Sequence, residues 1–342
     1  MKILIVGENK YPIYEEAFMK AFIEQGHKCT IFSWSQYFLK NSLLNKIENK
    51  FLYGFSIKKI NKDLLKQVKI LNPNFIFMYR PVMILPSVLK EIKRNNNHIK
   101  IFSYHNDDPF SKNIPKYKNR HFFASLSYCD WIFSYRNKNI DEYQQLGYKN
   151  TSLLRSYYLK NNNFHILNIE KKYDVLFIGH FEDDGRDKYI LYLLKNNIKI
   201  KLFGTNWKAS KYYEEIAKMI GRIQPIYGSE YNTAINSTKI ALVFLSKLNN
   251  DTYTRRCFEI PITKTAMAVE KTHDLIDNLY TNKEAIYFTS KENLLEQLRH
   301  YLVNINEIKK IGEKGCQRLK LDGHEVTDRI ITILKIYKRL KK

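Results

Sequence analysis

The chain has 342 residues, 44% hydrophobic and 27% charged, which excludes wholesale disorder and suits two cores of about 150 residues each. Its 57 Lys and Arg against 34 Asp and Glu leave a net charge of +23, a field that favours anionic partners such as nucleotides, phospholipid headgroups or polyphosphates. Cys29, Cys129, Cys257 and Cys316 lie far apart with no CxxC pair, so neither a zinc site nor a disulfide framework is expected, as in a reducing cytosol.

The basic excess runs through the chain, 26 against 13 over residues 1–170 and 31 against 21 beyond, and is densest in residues 41–100 with 12 against 3. The opening MKILIVGE is too short an apolar run for a signal peptide. No stretch approaches the roughly 18 apolar residues of a membrane span. The expectation is a cytoplasmic protein. Residues 41–100 and the C-terminal lysines are its candidates for peripheral contact with an anionic membrane surface.

In chain order, KILIVG predicts a first strand, YEEAFMKAFIEQGH a helix ending at Gly26, and CTIFSW a second strand. After the basic stretch, NPNFIFMYR and HIKIFSYHNDD read as strands around the helix PSVLKEIKR. CDWIFSY is a further strand and DEYQQLGY a short helix. Residues 156–172, with an asparagine triplet and no sustained period, predict a linker. Alternation then resumes with strand YDVLFIGHF, helix DKYILYLLKNN, strand IKIKLFG, helix YYEEIAKMIG and strand KIALVFLS. PITKTAMAVE predicts a helix packed on the sheet, AIYFTS a late strand, NLLEQLRHYLVN a helix, and EVTDRIITILKIYKRLKK an amphipathic helix with a basic end. Strand–helix alternation of this kind predicts an α/β fold of two Rossmann-like halves with parallel sheets facing a cleft. The expected division is 1–155, linker 156–172, 173–322, and a terminal helix 323–342 that is able to return to the first half.

The most informative stretch is DTYTRRCFEIP, residues 251–261, at the carboxyl end of a strand, where open α/β sheets bind anions and nucleotides. Arg255 and Arg256 suit a diphosphate and Glu259 suits ribose hydroxyls. Adjacent arginines point in different directions, so one is expected at the diphosphate and the other at a carboxylate. Gly179 ends the strand DVLFIG and permits close backbone approach to phosphate, and Arg186, following in the same loop, is placed to neutralise that phosphate. Glu182, Asp183, Asp184 and Asp187 precede a helix, where acids are favoured anyway, and no metal is expected there. Trp207, Tyr227 and Gly228 suit a nucleobase slot, and Tyr231 begins a helix beside them. In the first half, His105, Asp107 and Asp108 follow a strand, where titratable groups stand ready for acid–base chemistry; Pro109 fixes a turn that one of the aspartates serves equally well.

DVLFIGHF with Arg186, LFGTNW, Pro225 with YGSEY, NDTYTRRCFEIP, HDLIDNLYTNKEAIYF and GEKGCQRL with His324 occur in the order seen in bacterial glycosyltransferases of the spore-maturation, CgeB-like group, which this chain resembles over residues 173–330. YHNDDPF extends the resemblance weakly into the first half. The resemblance implies a GT-B fold with the acceptor on the first domain and a nucleoside-diphosphate sugar mainly on the second, no cofactor and no catalytic metal. By the same pattern Asp251 stands eight positions before Glu259, where many retaining enzymes have glutamate, and touches the donor sugar; Arg256 is the better match of the two arginines, with Thr254 in the same block. Lys264 stands where related transferases usually have glycine. The implied activity is transfer of a sugar to a saccharide, lipid-linked or protein acceptor in bacterial surface polysaccharide or glycoconjugate assembly. Its rivals are a nucleotide-sugar epimerase of similar fold, a transferase homologue without catalysis, and a polyanion- or nucleic-acid-binding protein. No nucleic-acid module is recognised in the sequence, and nucleic acid is not expected as a partner.

Overall fold

The computed structural model describes residues 1–38 and 42–341; Asn41, the first residue of the basic segment, and the terminal Lys342 lie outside them. Two units separate, one of residues 1–155 with 326–342 and one of residues 156–325.

The first unit runs β1 (Lys2–Gly7), α1 (Glu15–Glu24), β2 (Lys28–Ser33), α2 (Leu43–Phe51), α3 (Phe55–Leu71), β3 (Phe75–Tyr79), α4 (Pro86–Asn95), β4 (Lys100–His105), α5 (Arg120–Ser125), β5 (Trp131–Ser134), α6 (Asn137–Gln145) and β6 (Thr151–Leu153). Its strands form a parallel sheet in the order β2-β1-β3-β4-β5-β6. Strand β3 is buried on both faces, so it reads as an unbroken apolar run. Ile76 and Met78 join Ile57, Ile60, Leu64 and Val68 of α3 on one side. On the other, Phe77 stacks on Phe18 of α1 at 5.2 Å and Phe75 lies 5.1 Å from Tyr337. The α3 residues recur at helical spacing, although their lysine-rich surroundings hide the period.

The second unit holds β7 (Tyr173–Ile178), α7 (Arg186–Lys195), β8 (Ile200–Phe203), α8 (Tyr213–Ile220), α9 (Gly228–Asn236), β9 (Thr238–Val243), α10 (Arg256–Glu259), β10 (Ala266–Glu270), α11 (His273–Asn278), β11 (Ile286–Phe288), α12 (Lys291–Val303) and α13 (Ile305–Leu321). Its parallel sheet has the order β11-β10-β9-β7-β8. The last helix, α14 (Val326–Arg339), rejoins the first unit, burying Val326, Ile330, Ile333 and Tyr337.

Two expectations change. The segment 261–270 is not a helix: a short turn, Pro261–Thr263, leads into strand β10, paired with β9 and β11. Its alanines look helical but answer a packing need, since a Cβ on Gly312 of α13 would overlap the Lys264 carbonyl oxygen. Helix and strand are that close, and only small residues fit between them. The segment expected as a linker, 156–172, groups with the second unit. The Phe164 and Ile166 amides donate to Asn232 and Asn236 of α9 at 3.2 and 2.8 Å, and His165 Nδ1 meets the Thr263 carbonyl at 2.9 Å.

Candidate functional site

In the second unit, chain segments from four places meet at the carboxyl end of the sheet. The loop after β7 begins at Gly179, whose carbonyl accepts from Trp207 Nε1 at 2.9 Å. A Cβ on Gly204 would overlap that same carbonyl, so the ends of β7 and β8 approach as closely as backbones can. Gly204 N–H in turn donates to Gln224 at 3.1 Å, bringing in the segment before α9. The fourth contribution is the loop between β9 and α10.

This last loop carries the charges. Arg255 Nε donates to Glu259 Oε1 at 2.5 Å, and its guanidinium lies 4.6 Å from the Tyr157 ring centre. Tyr231 Oη donates to Glu259 Oε2 at 2.7 Å, and burial together with that carboxylate raises the tyrosine pKa well above its ordinary value. Glu259 is thus buried and oriented through both oxygens, each keeping a lone pair for a further donor. Arg256 differs from its neighbour. Its guanidinium sits 6.0 Å from the ring of Phe177, two residues before Gly179, and its buried Nε has no hydrogen-bond partner. Among the described residues it makes no ion pair. A half-buried cation without a counter-charge, beside a glycine turn at a strand end, has the chemistry of an anion site. Asp251 closes the loop through its N–H to the Ser246 carbonyl at 2.9 Å, and Thr254 is buried beside Cys257.

Arg186 does not join this cation. Its Nε and Nη2 grip Asp184 at 2.8 and 2.5 Å, Nη1 donates to the His180 carbonyl at 2.7 Å, and Glu182 stands 3.4 Å away. Its whole guanidinium is engaged in holding its own loop, which corrects the diphosphate role expected for it. Burial alone would raise the Glu182 pKa, but hydrogen bonds from His180 and Ser246 and the charge of Arg186 outweigh it and bring it to about 2. With Asp187 bonded to Ser210 at 2.6 Å, three of the four loop acids are committed to protein partners. Trp207 is also corrected: at 2% exposure, packed on Phe177 and Phe181, it is core beneath the Gly179 turn rather than the wall of an open slot. Tyr227 is 69% exposed and caps α9, with Gly228 at φ +55 opening that helix.

In the first unit, His105 ends β4 and is buried against Phe122 at 4.9 Å. Its Nδ1 donates to the Asp107 carbonyl at 3.0 Å, which leaves the lone pair on Nε2, buried and without a hydrogen-bond partner. Burial above all, helped by Arg80 and Arg136 and opposed by Asp107, lowers its pKa to about 4, so the ring is neutral. Asp107 pairs with Arg80 at 3.2 Å. Asp108 is fully buried and accepts from the Phe110 N–H at 3.0 Å and Asn139 at 2.8 Å. It builds the turn and is corrected as a catalytic candidate, because no face of it is open to a substrate.

Two residues were missed. Arg80 follows β3 in a left-handed conformation, φ 47, uncommon outside glycine and asparagine; its signal was an arginine closing the strand FIFMY. Glu270 closes β10, accepts from the Leu245 N–H at 2.9 Å, and has its pKa raised by burial. It was hidden because its strand read as a helix.

Residues 186–335 match the sequence model of a family described as glycosyl transferase-like, a span of less than half the chain. No curated protein sequence matches significantly. Among solved structures, the sucrose-phosphate synthase of Thermosynechococcus elongatus is similar at TM-score 0.76 and 10% identity, with 99% of each chain covered. Anabaena HepE in complex with UDP-glucose is similar at TM-score 0.70 and 9% identity, covering 99% of this chain and 100% of that one. A putative UDP-N-acetylglucosamine 2-epimerase from Listeria monocytogenes follows at TM-score 0.61 and 11% identity, covering 99% and 96%. At these identities the likeness speaks for the fold: the chain has the α/β GT-B architecture of two Rossmann-like domains with parallel sheets.

Proposed function

We propose that this chain is a glycosyltransferase that takes its sugar from a nucleoside-diphosphate donor held on the second unit. The observation behind this reading is Arg256, a half-buried cation lacking an anion beneath the Gly179 turn, with the oriented carboxylate of Glu259 nearby in sequence and space. Arg256 meets the diphosphate and stabilises the charge that develops as the glycosidic bond breaks. Glu259 accepts from the ribose hydroxyls, while Arg255 and Tyr231 keep it in place. Asp251 faces the sugar, and the neutral His105 with Asp107 serves the acceptor side. The UDP and UDP-glucose complexes of HepE make UDP the first nucleotide to test. The RRCFEIP block favours the CgeB-like branch, with a saccharide, lipid-linked or protein acceptor in surface glycoconjugate assembly. Charge stabilisation is assigned to Arg256 and not to a metal, so chelator should leave transfer unchanged.

Calorimetric titration with UDP, GDP, dTDP and CDP tests the reading. One diphosphate should bind selectively; Arg256→Ala should weaken it while the melting temperature holds, and Glu259→Ala should weaken it with a loss of stability, since Arg255 and Tyr231 lose their partner. Equal, weak binding of all four that vanishes with salt would instead indicate a general polyanion binder. An epimerase shares the fold, as the Listeria neighbour illustrates. Incubating the matching nucleotide sugar without acceptor separates the two, since only an epimerase converts it to an isomer.

A further inference from the structure

Helix α2 buries none of its residues, although Leu43, Leu44, Ile47 and Phe51 line up on one side of it. With Tyr53 in the turn and Phe55 opening α3, six large apolar side chains are each 45–76% exposed, a concentration found nowhere else among the described residues. Nine residues are too few for a helix to hold itself in water, so this one relies on its ends. At its start the Ser42 hydroxyl accepts from the Asn45 N–H at 3.1 Å. At its end Leu52, buried in the core with φ 52, turns the chain, and the Leu52 carbonyl accepts from Arg120 at 3.0 Å and meets His121 Nε2 at 2.8 Å. The helix is clamped at both ends with its apolar stripe outward.

The charges around the stripe that lack an ionic partner are of one sign. Lys46 and Lys50 flank it on the helix, and Lys58 and Lys59 follow on α3. Among the described residues none of these four makes an ion pair. The neighbouring acids are engaged within the fold: Glu48 takes the Phe55 and Ser56 N–H groups at the start of α3, and Asp63 takes the Tyr37 hydroxyl at 2.9 Å. An apolar stripe bordered by unpaired lysines matches the interfacial region of an anionic bilayer, where acyl chains receive the apolar residues and headgroups receive the ammonium groups. A second copy of the chain would set the same lysines against each other. Helix α14, the other basic candidate, is different, since its apolar face is covered within the first unit.

We infer that α2 and the turn to α3 form a docking surface for anionic lipid, into which Leu43, Leu44, Ile47, Phe51, Tyr53 and Phe55 insert. The test is sedimentation of the full chain with phosphatidylcholine vesicles, with and without phosphatidylglycerol, at rising salt. It needs no nucleotide, so its outcome is independent of the donor reading. Wild type should bind the anionic vesicles alone and release as salt increases. Leu44→Asp with Ile47→Asp should lower binding about tenfold or more, and Lys46→Glu or Lys50→Glu about fivefold or more each. All four positions are exposed, so the melting temperature should not change. Failure to bind, equal binding to neutral vesicles, or binding indifferent to these substitutions would overturn the inference. So would a concentration-dependent dimer in place of vesicle binding, abolished by the same aspartates.

Discussion

The two turns that follow β7 and β9 offer the same invitation in sequence, an arginine shortly after a strand, and the structure answers it in opposite ways. After β7, Arg186 is buried among Asp184, Glu182 and the His180 carbonyl, and its charge is consumed in shaping the loop. After β9, the neighbouring carboxylate is occupied by Arg255 and Tyr231, and Arg256 is left over. An arginine's position in a motif therefore says little about its role until the acids around it are accounted for. The acid cluster before α7 is what disqualifies Arg186 as a ligand for phosphate.

The contrast can be broken by substitution. Arg186→Ala leaves two acids without their cation in a buried loop, and should cost about 3–5 kcal/mol of stability in chemical denaturation. A mild effect there would mean the network is looser than its geometry. Arg256→Ala removes no protein partner. It should leave the denaturation midpoint near wild type while weakening UDP by roughly ten- to a hundredfold, as expected for a charge-assisted bond; a large loss of stability would erase the distinction between the turns. The third probe is pH. Glu182 has its folded pKa depressed to about 2, so its contribution is complete above the ordinary carboxylate range and is lost as pH falls from there towards about 2. The shift converts to about 3 kcal/mol, which solvent screening of this partly exposed group reduces to on the order of 2 kcal/mol. Glu182→Gln should flatten that part of the stability profile, and an unchanged slope would sink the assignment. The smallest effect is expected at Lys264, held at φ 60 on the solvent side of the turn after α10. Lys264→Gly should stabilise by about 0.5–1 kcal/mol, relief of the left-handed penalty less the entropy glycine adds to the unfolded chain.

Much of the fold was legible because buried parallel strands announce themselves as unbroken apolar runs, as FIFMY and KIALVF do. Two failures share one cause: the deciding residue was distant. AMAVE looks helical until Gly312 of α13 is seen to press on it, and α3 looks like a basic stretch until Ile57, Ile60, Leu64 and Val68 are seen against Ile76 and Met78. The candidate site was legible as a place, since the loop bearing Arg255, Arg256 and Glu259 follows the strand KIALVF at its carboxyl end. It was less legible as a set of roles. Nothing local distinguishes Asp108, sealed by the Phe110 N–H and Asn139, from Asp107, which faces Arg80.

The return of α14 to the first unit has a consequence for how the protein is made. Tyr337 packs against Phe75 and Phe102, so the sheet laid down by the first 155 residues waits, with part of its aromatic face bare, until the ribosome has produced the last helix. The second unit, drawn from the continuous stretch 156–325, has no such delay. Biosynthesis thus inverts the order of the chain, the later unit being the first able to complete its fold.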